Sequence, residues 1–166
     1  MCALATIYYF GFLLFNGIRF RDIFKRHAYK HTNAKRVIGT IGLGFALSAI
    51  IIGVLFKLQF WTGAEFNLLI GFIFTGIIFL IAFPFYLRNK TAFYNRIIKR
   101  ILIISSVGLM AYVVPTDSLV DLYHGHNPEY AELYKKRLKD RDNVELQEEL
   151  YKMEREIEEA KRQNDN

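Results

Sequence analysis

Residues 37–56 read VIGTIGLGFALSAIIIGVLF, and residues 66–87 read FNLLIGFIFTGIIFLIAFPFYL. Neither run contains a charged side chain. A helix needs about 20 residues to cross the roughly 30 Å of hydrocarbon in a bilayer, because each residue adds about 1.5 Å. Both runs reach that length. They therefore predict two membrane-spanning helices joined by a short connection.

Two shorter apolar runs flank this pair. Residues 3–18 are interrupted by Asn16 and followed by two arginines, whereas a cleaved signal peptide carries its positive charge before the apolar stretch. We therefore expect a retained span there. Residues 97–114 are long enough to cross if Lys99 and Arg100 extend toward the lipid headgroups. The prediction is an all-α, polytopic membrane protein with about four transmembrane helices.

The basic residues indicate the orientation of these helices. Seven Lys and Arg follow the first apolar run and five follow the third, but the connection between the second and third runs holds only Lys57. Short cytoplasmic loops carry the excess of Lys and Arg. This pattern places both termini outside the cytoplasm. We therefore predict a multi-pass protein of the bacterial inner (cytoplasmic) membrane, with the C-terminal tail in the periplasm.

The charge balance changes near residue 116. Residues 1–116 hold 13 basic and two acidic side chains, whereas residues 117–166 hold nine basic and 14 acidic ones. Such asymmetry, combined with the apolar runs, excludes an ordinary soluble domain and a nucleic-acid binder whose basic residues line one groove. We predict a transmembrane domain at 1–115 and a soluble, acidic, helical tail at 116–166.

The tail contains three helix-start signals. Thr116 and Asp117 would cap a short helix, Asn127 precedes a proline at a first helical position, and Asn143 precedes a third helix. In that third helix the apolar residues are spaced as in about two heptads of a coiled coil. This spacing predicts a helix that lies against something. We expect the tail helices to need the membrane or a partner to fold. The residues of this spacing are Leu146, Leu150, Met153, Ile157 and Ala160.

Side chains that could carry chemistry are few. The two long runs have no ionisable group, although such a group inside a membrane usually marks function. The single cysteine excludes an internal disulfide and a Cys-based metal site. We predict no catalytic, cofactor-binding or metal residues. A weaker hypothesis, an enzyme acting on lipid at the interface, rests on a polar group just after the last span: Asp117, Asp121, His124 and His126.

A stripe of small residues gives a more specific signal. Gly42, Ala46, Ala49 and Gly53 are spaced so that they share one face of a helix. Small residues let a second helix approach closely in a membrane. The partner is either the next span of the same chain or a second subunit, and the short connection favours the first.

The end of the same helix carries candidate interface anchors. Lys57 is placed to extend toward the membrane surface. Trp61 falls in the same interface, where indole rings are enriched. Residues 60–64, which include Gly63 and Ala64, predict a tight turn into the next helix.

The segment GVLFKLQFWTGA at residues 53–64, with Ile70 and Gly71 after it, resembles the transmembrane hairpin of GldL, the inner-membrane gliding motility and type IX secretion protein of Bacteroidota. The resemblance covers residues 37–87. It implies a two-helix unit that packs with partner membrane subunits into a proton-driven motor. The second helix of that family carries a membrane-embedded glutamate, and Thr75 stands at the corresponding position here. Since a proton-passing stator needs a titratable group in the membrane, this departure weighs against proton transfer.

These observations favour a non-enzymatic inner-membrane subunit, related to GldL. Its hairpin would pack laterally, and its tail would dock a partner or a second copy. The expected partners are the lipid bilayer and other membrane subunits or the protein itself, with no nucleic acid and no cofactor. The alternative is a small homo-oligomeric channel or transporter, with a narrow path lined by Gly71, Thr75 and Gly76.

Overall fold

The computed structural model describes Gly11, Leu13, residues 15–30, Thr32 and residues 34–164. Within these residues every regular element is helical, which confirms the predicted all-α class. Two 3₁₀ turns, Phe20–Asp22 and Arg26–Tyr29, precede six α-helices that we number in chain order. They are α1 (Ala34–Leu58), α2 (Ala64–Asn89), α3 (Ala92–Val113), α4 (Thr116–His124), α5 (Pro128–Lys139) and α6 (Val144–Asn164).

Helices α1 and α2 correspond to the two long apolar runs. They contain 25 and 26 residues, which gives each a length of about 37–39 Å. Both are long and apolar enough to cross a membrane. The spans predicted at 37–56 and 66–87 are therefore confirmed as candidate membrane helices, and each extends a few residues further at both ends.

The other two predicted spans have a different outcome. Helix α3 covers most of 97–114, but Arg96, Lys99 and Arg100 leave only about 20 Å of uncharged helix after them. It becomes a third candidate span only when it is counted together with α4. Most of the run at 3–18 lies outside the described residues, since 3–10, 12 and 14 are among those not described. The described part thus contains two or three candidate spans, and four are not shown.

The chain divides into two compact units, residues 1–113 and 114–166. We refer to them as the N-terminal unit and the tail unit. In the N-terminal unit, α1 packs along α2, and α3 contacts both. The hydrophobic core contains apolar side chains contributed by all three helices and by Phe15. Its most buried members are Phe15, Leu43, Ile50 and Leu68.

The described residues before α1 are anchored in this core. Phe15 is 1% exposed. The backbone N–H of Ile18 donates to the Leu13 carbonyl at 2.9 Å, and Gly17 has a φ of +72°, an arrangement that ends a helix through a left-handed glycine. Asn16, which interrupts the apolar run, donates from Nδ2 to Thr40 Oγ1 at 3.4 Å. The polar side chain that interrupts the apolar run is thus hydrogen-bonded to a residue of α1.

The tail unit is a group of three helices with well-defined starts. The Asn127 side chain accepts the backbone N–H of Tyr130 at 3.2 Å, and the Asn143 side chain accepts that of Leu146 at 3.2 Å. Both predicted N-caps are therefore present. The cap predicted at Thr116 is wrong, because α4 begins at Thr116 and its N-cap is Pro115, which makes no side-chain capping bond.

The apolar stripe of α6 is covered within the tail itself. It packs against α5 in a cluster formed by Tyr130, Leu133, Tyr134, Leu146, Leu150, Met153 and Ile157. Two ion pairs join α4 to α5, Lys135 Nζ with Asp121 and Lys139 Nζ with Asp117 at 3.1 Å. The apolar stripe, which the spacing predicted to lie against another surface, lies against α5.

We predict that Leu150→Ala destabilises the tail unit by about 2–3 kcal/mol, because a buried leucine loses its contacts and leaves a cavity. The neighbouring Glu149→Ala, on the exposed side of the same helix, is the matched control and should change stability by less than about 0.5 kcal/mol. Amide hydrogen exchange of residues 128–164 measures this difference. Equal protection in the two variants would show that α5 and α6 do not pack as described.

Candidate functional site

Helices α1 and α2 approach each other closely at two glycines. A β-carbon built on Gly53 would lie 2.8 Å from the backbone nitrogen of Leu68, and one built on Gly71 would lie 2.8 Å from that of Ile50. Real β-carbons do not approach a backbone so closely, so only glycine fits either position. At each of these two contacts, a glycine of one helix thus lies against the backbone of the other helix.

Helix α3 joins the same contact through a third glycine. A β-carbon on Gly108 would meet the Ile50 side chain, and it would lie 3.2 Å from the Phe72 ring. Ile50 itself has no exposed surface. It lies against Gly71 on α2 and Gly108 on α3, which makes it the point where the three helices meet.

The rest of the predicted small-residue stripe lies along the same side of α1. Ala46 is 2% exposed, and its carbonyl would lie 3.1 Å from a β-carbon on Gly71. A β-carbon on Gly42 would be 3.9 Å from Ile78 of α2, and Ala49 is half-buried. Gly42, Ala46 and Gly53 thus meet α2 of the same chain rather than forming an open face.

Lys57 does not extend to the surface as expected. Its side chain is 5% exposed, and Nζ lies 3.6 Å from Glu65 Oε1. Lys57 belongs to the last turn of α1 and Glu65 to the first turn of α2, where a helix end favours a cation and an anion, respectively. The ion pair therefore lies beside the turn that connects the two helices. Lys57 is buried, but its partner Glu65 is 76% exposed, and the turn is what brings these two helix ends together.

The connection between α1 and α2 covers residues 59–63, so Ala64 already belongs to α2. Phe60 (φ 56°) and Gly63 (φ 81°) adopt left-handed conformations. The backbone N–H of Trp61 donates to the Phe56 carbonyl at 2.8 Å. The Trp61 ring is 57% exposed and meets Phe56 edge to face. That exposure is what an interface anchor requires.

Hydroxyl groups inside the unit are mostly satisfied by their own helix. Thr40 and Ser48 donate to the carbonyls four residues earlier, at 2.8 and 2.7 Å. Thr75 is different, because its side chain is 3% exposed and its Oγ1 has no hydrogen-bond partner in the described part of the chain. Gly71 and Thr75 are buried within one copy, and only Gly76 has open space beside it. The three do not form one surface.

The polar group after the last predicted span does not converge on a site. Asp117 and Asp121 are engaged by lysines of α5, as described above, and the His124 ring lies 4.9 Å from Tyr130 and 5.1 Å from Tyr134 between ring centroids. Among the residues that the structure describes, no group of three or more His, Cys, Asp and Glu is placed to hold a metal ion. Ion pairs and ring contacts thus engage Asp117, Asp121 and His124, and the lipid-enzyme hypothesis stays a prediction.

One arrangement was not predicted. Arg96 Nε donates to the Phe15 carbonyl at 3.2 Å, and the Arg100 guanidinium lies 5.0 Å from the centroid of the Phe15 ring. From the sequence, Arg96 was expected in a basic loop and Arg100 at the start of the last predicted span, extending toward the headgroups. Their spacing of four residues was the available signal, because it places both on one side of α3.

No protein-family model matches the sequence, and no curated protein or solved structure matches it. The relation to GldL therefore stays a prediction that rests on residues 37–87. The function has to be argued from the geometry of the chain itself.

We predict that Gly53→Ala and Gly71→Ala each destabilise the N-terminal unit by about 1–3 kcal/mol, because the added methyl group meets a backbone that cannot move alone. Gly76→Ala is the control. It lies on the same helix as Gly71 with open space around it, and it should be neutral or stabilising by less than about 1 kcal/mol. Unfolding in mixed micelles of increasing denaturing detergent measures both. Similar losses for all three variants would contradict this packing.

The tail should lose stability on acidification. Burial lowers the pKa of His124 below its ordinary 6.5, and His126 adds to this while Glu154 opposes it. The unfolded chain therefore binds the proton more tightly than the folded tail, and stability falls as the pH drops through about 6.5. Amide exchange of residues 116–139 between pH 7.5 and 5.5 measures the loss. His124→Phe should remove this pH dependence, and an unchanged dependence would assign it to another group.

Proposed function

We propose that this protein is a non-enzymatic subunit of a membrane assembly in the bacterial inner membrane. In this proposal it has four spans and both termini outside the cytoplasm. The α1–α2 hairpin is the rigid element, and the outer face of α2 packs against another membrane subunit. The charge pattern of the connections supports the orientation.

The observation that carries this proposal is the unequal burial of the two helices. Buried residues make up 44% of the apolar stretch of α1 but only 22% of that of α2. Helix α2 contacts α1 closely at Gly71 and leaves many of its large apolar side chains outside. The outward residues include Phe66, Ile73, Phe74, Ile77, Leu80 and Ile81. Such a broad apolar face suits lipid and also lateral contact with a second helix.

We also propose a relation to GldL that is limited to the hairpin scaffold. Helices α1 and α2 form a tightly closed pair in the segment that carries the resemblance. Thr75 stands where that family has its glutamate, and it is a buried hydroxyl that cannot titrate. The subunit would thus take part in assembly and not in proton transfer.

The tail is proposed to dock a partner through its outer surface. Its apolar stripe is occupied by α5, so the contact would use exposed side chains on the other faces. Leu122 is 79% exposed and Tyr151 is 61% exposed, among many charged residues. This kind of surface suits a polar interface with a few apolar anchors.

A photo-crosslinking amino acid placed at Ile73 or Leu80 tests the proposal in cells. Both positions are exposed on α2, whereas Ile103 is a comparably exposed position on α3 and serves as the control. We expect both α2 positions to capture the same membrane protein in near-stoichiometric yield and Ile103 to capture none of it.

Two other outcomes decide against this account. Capture of lipid alone from all three positions, with a monomer in mild detergent, would overturn the assembly role. Capture of the protein's own chain from both α2 positions would favour the homo-oligomeric channel or transporter, and ion or solute flux through liposomes would then be the next measurement.

A further inference from the structure

We propose that Arg96 and Arg100 bind the phosphate group of an anionic phospholipid. The site lies at the end of the N-terminal unit where α1 and α3 begin. This inference needs no partner protein, so it stands apart from the assembly role.

The two guanidinium groups converge on one short segment. Arg96 donates to the Phe15 carbonyl and lies over Gly17, where a β-carbon would come within 2.9 Å of its Nη2 atom. Arg100, one turn further along α3, lies over the Phe15 ring. Because Phe15 is held in the core, both arginines are positioned by a rigid element.

The positive charge of this pair is not balanced by the described protein. An arginine has five N–H donors, and Arg96 uses one of them in its hydrogen bond to the uncharged Phe15 carbonyl. Arg100 contacts a ring face. Within the described residues neither has a carboxylate within ion-pair distance, and Asp22, the acidic residue before α1, pairs with Lys25 at 2.8 Å. Two like charges at this spacing repel each other, so a bound anion would relieve that repulsion.

Phosphate is the anion that such a pair fits best. The planar fork of an arginine donates two parallel hydrogen bonds to phosphate oxygens. Two forks on one segment can hold one phosphate between them. Basic pockets between helices at the membrane surface are where lipid headgroups bind.

The surface next to the arginines selects a lipid over free phosphate. Ile103, Val107 and Met110 continue the same side of α3 at spacings of three and four residues, and they are 65%, 51% and 71% exposed. An acyl chain attached to the bound phosphate would run along this apolar stripe. A free phosphate ion would leave it uncovered.

The test compares lipids on the full-length protein in neutral detergent, using phosphatidylglycerol and phosphatidylcholine as probes. Native mass spectrometry counts the bound lipid, and thermal unfolding gives the affinity. We expect phosphatidylglycerol to bind at least about tenfold more tightly, since each basic residue near the surface contributes about fivefold. Equal binding of the two lipids to the unaltered protein would overturn the proposal, whatever the variants do.

The variants locate the site. Arg96→Gln with Arg100→Gln should weaken phosphatidylglycerol binding by about 30-fold. Arg88→Gln removes the same type of side chain from an exposed position at the end of α2, and it should change binding by less than about twofold. Equal losses per arginine at all three positions would show a diffuse surface attraction and contradict the site. Displacement of the lipid by millimolar inorganic phosphate would contradict the lipid assignment.

Discussion

The backbones of α1 and α2 approach so closely at Gly53 and Gly71 that neither position has room for a β-carbon. This contact sets the distance between the two helices, and it brings Ile50 against α2. With Gly108 on α3, it also decides where the third helix packs. The core of the N-terminal unit is built around that meeting point.

Inside a bilayer, helices gain little from hiding apolar surface from water, so close packing has to hold them together. The distribution of side chains in α2 follows from this. Gly71 lies against α1, and many of the large residues of α2 face outward, where lipid or another helix completes their contacts. The charged side chains of the described hairpin lie toward its ends. One end holds the ion pair between Lys57 and Glu65, and the other carries Lys35, Arg36 and Arg88.

The hairpin could be predicted from sequence because its two signals are local. Uncharged runs of 20 and 22 residues give the spans, and the small-residue stripe points toward the neighbouring helix. Side-chain partners that come from distant segments could not be predicted. Lys57 has the position of a surface anchor by sequence, but its burial depends on the turn that folds Glu65 back toward it. The α6 stripe likewise indicated a contact without indicating that α5 supplies it.

Arg96 and Arg100 show the same limit. Their partner, Phe15, lies 81 residues before Arg96, and no pattern within α3 identifies it. The apolar run at 97–114 was also an incomplete guide to α3, since the helix is continuous from Ala92 and its first half contains Arg96, Lys99 and Arg100. The number of Lys and Arg residues in a connecting segment indicates on which side of the membrane the segment lies. It does not indicate which of these residues come close together in the folded chain.

The central claim is that the hairpin closes within one chain. Cysteines at Gly42 and Ile78, in a Cys2→Ser background, test it most directly through oxidative crosslinking in native membranes. A β-carbon at residue 42 lies 3.9 Å from the Ile78 side chain, whereas Leu80 is 72% exposed and serves as the control position in place of Ile78. The account predicts a crosslink within the monomer for residues 42 and 78 and none for residues 42 and 80. A crosslink between residues 42 and 78 that forms only between chains, or equal crosslinking of both pairs, would contradict it.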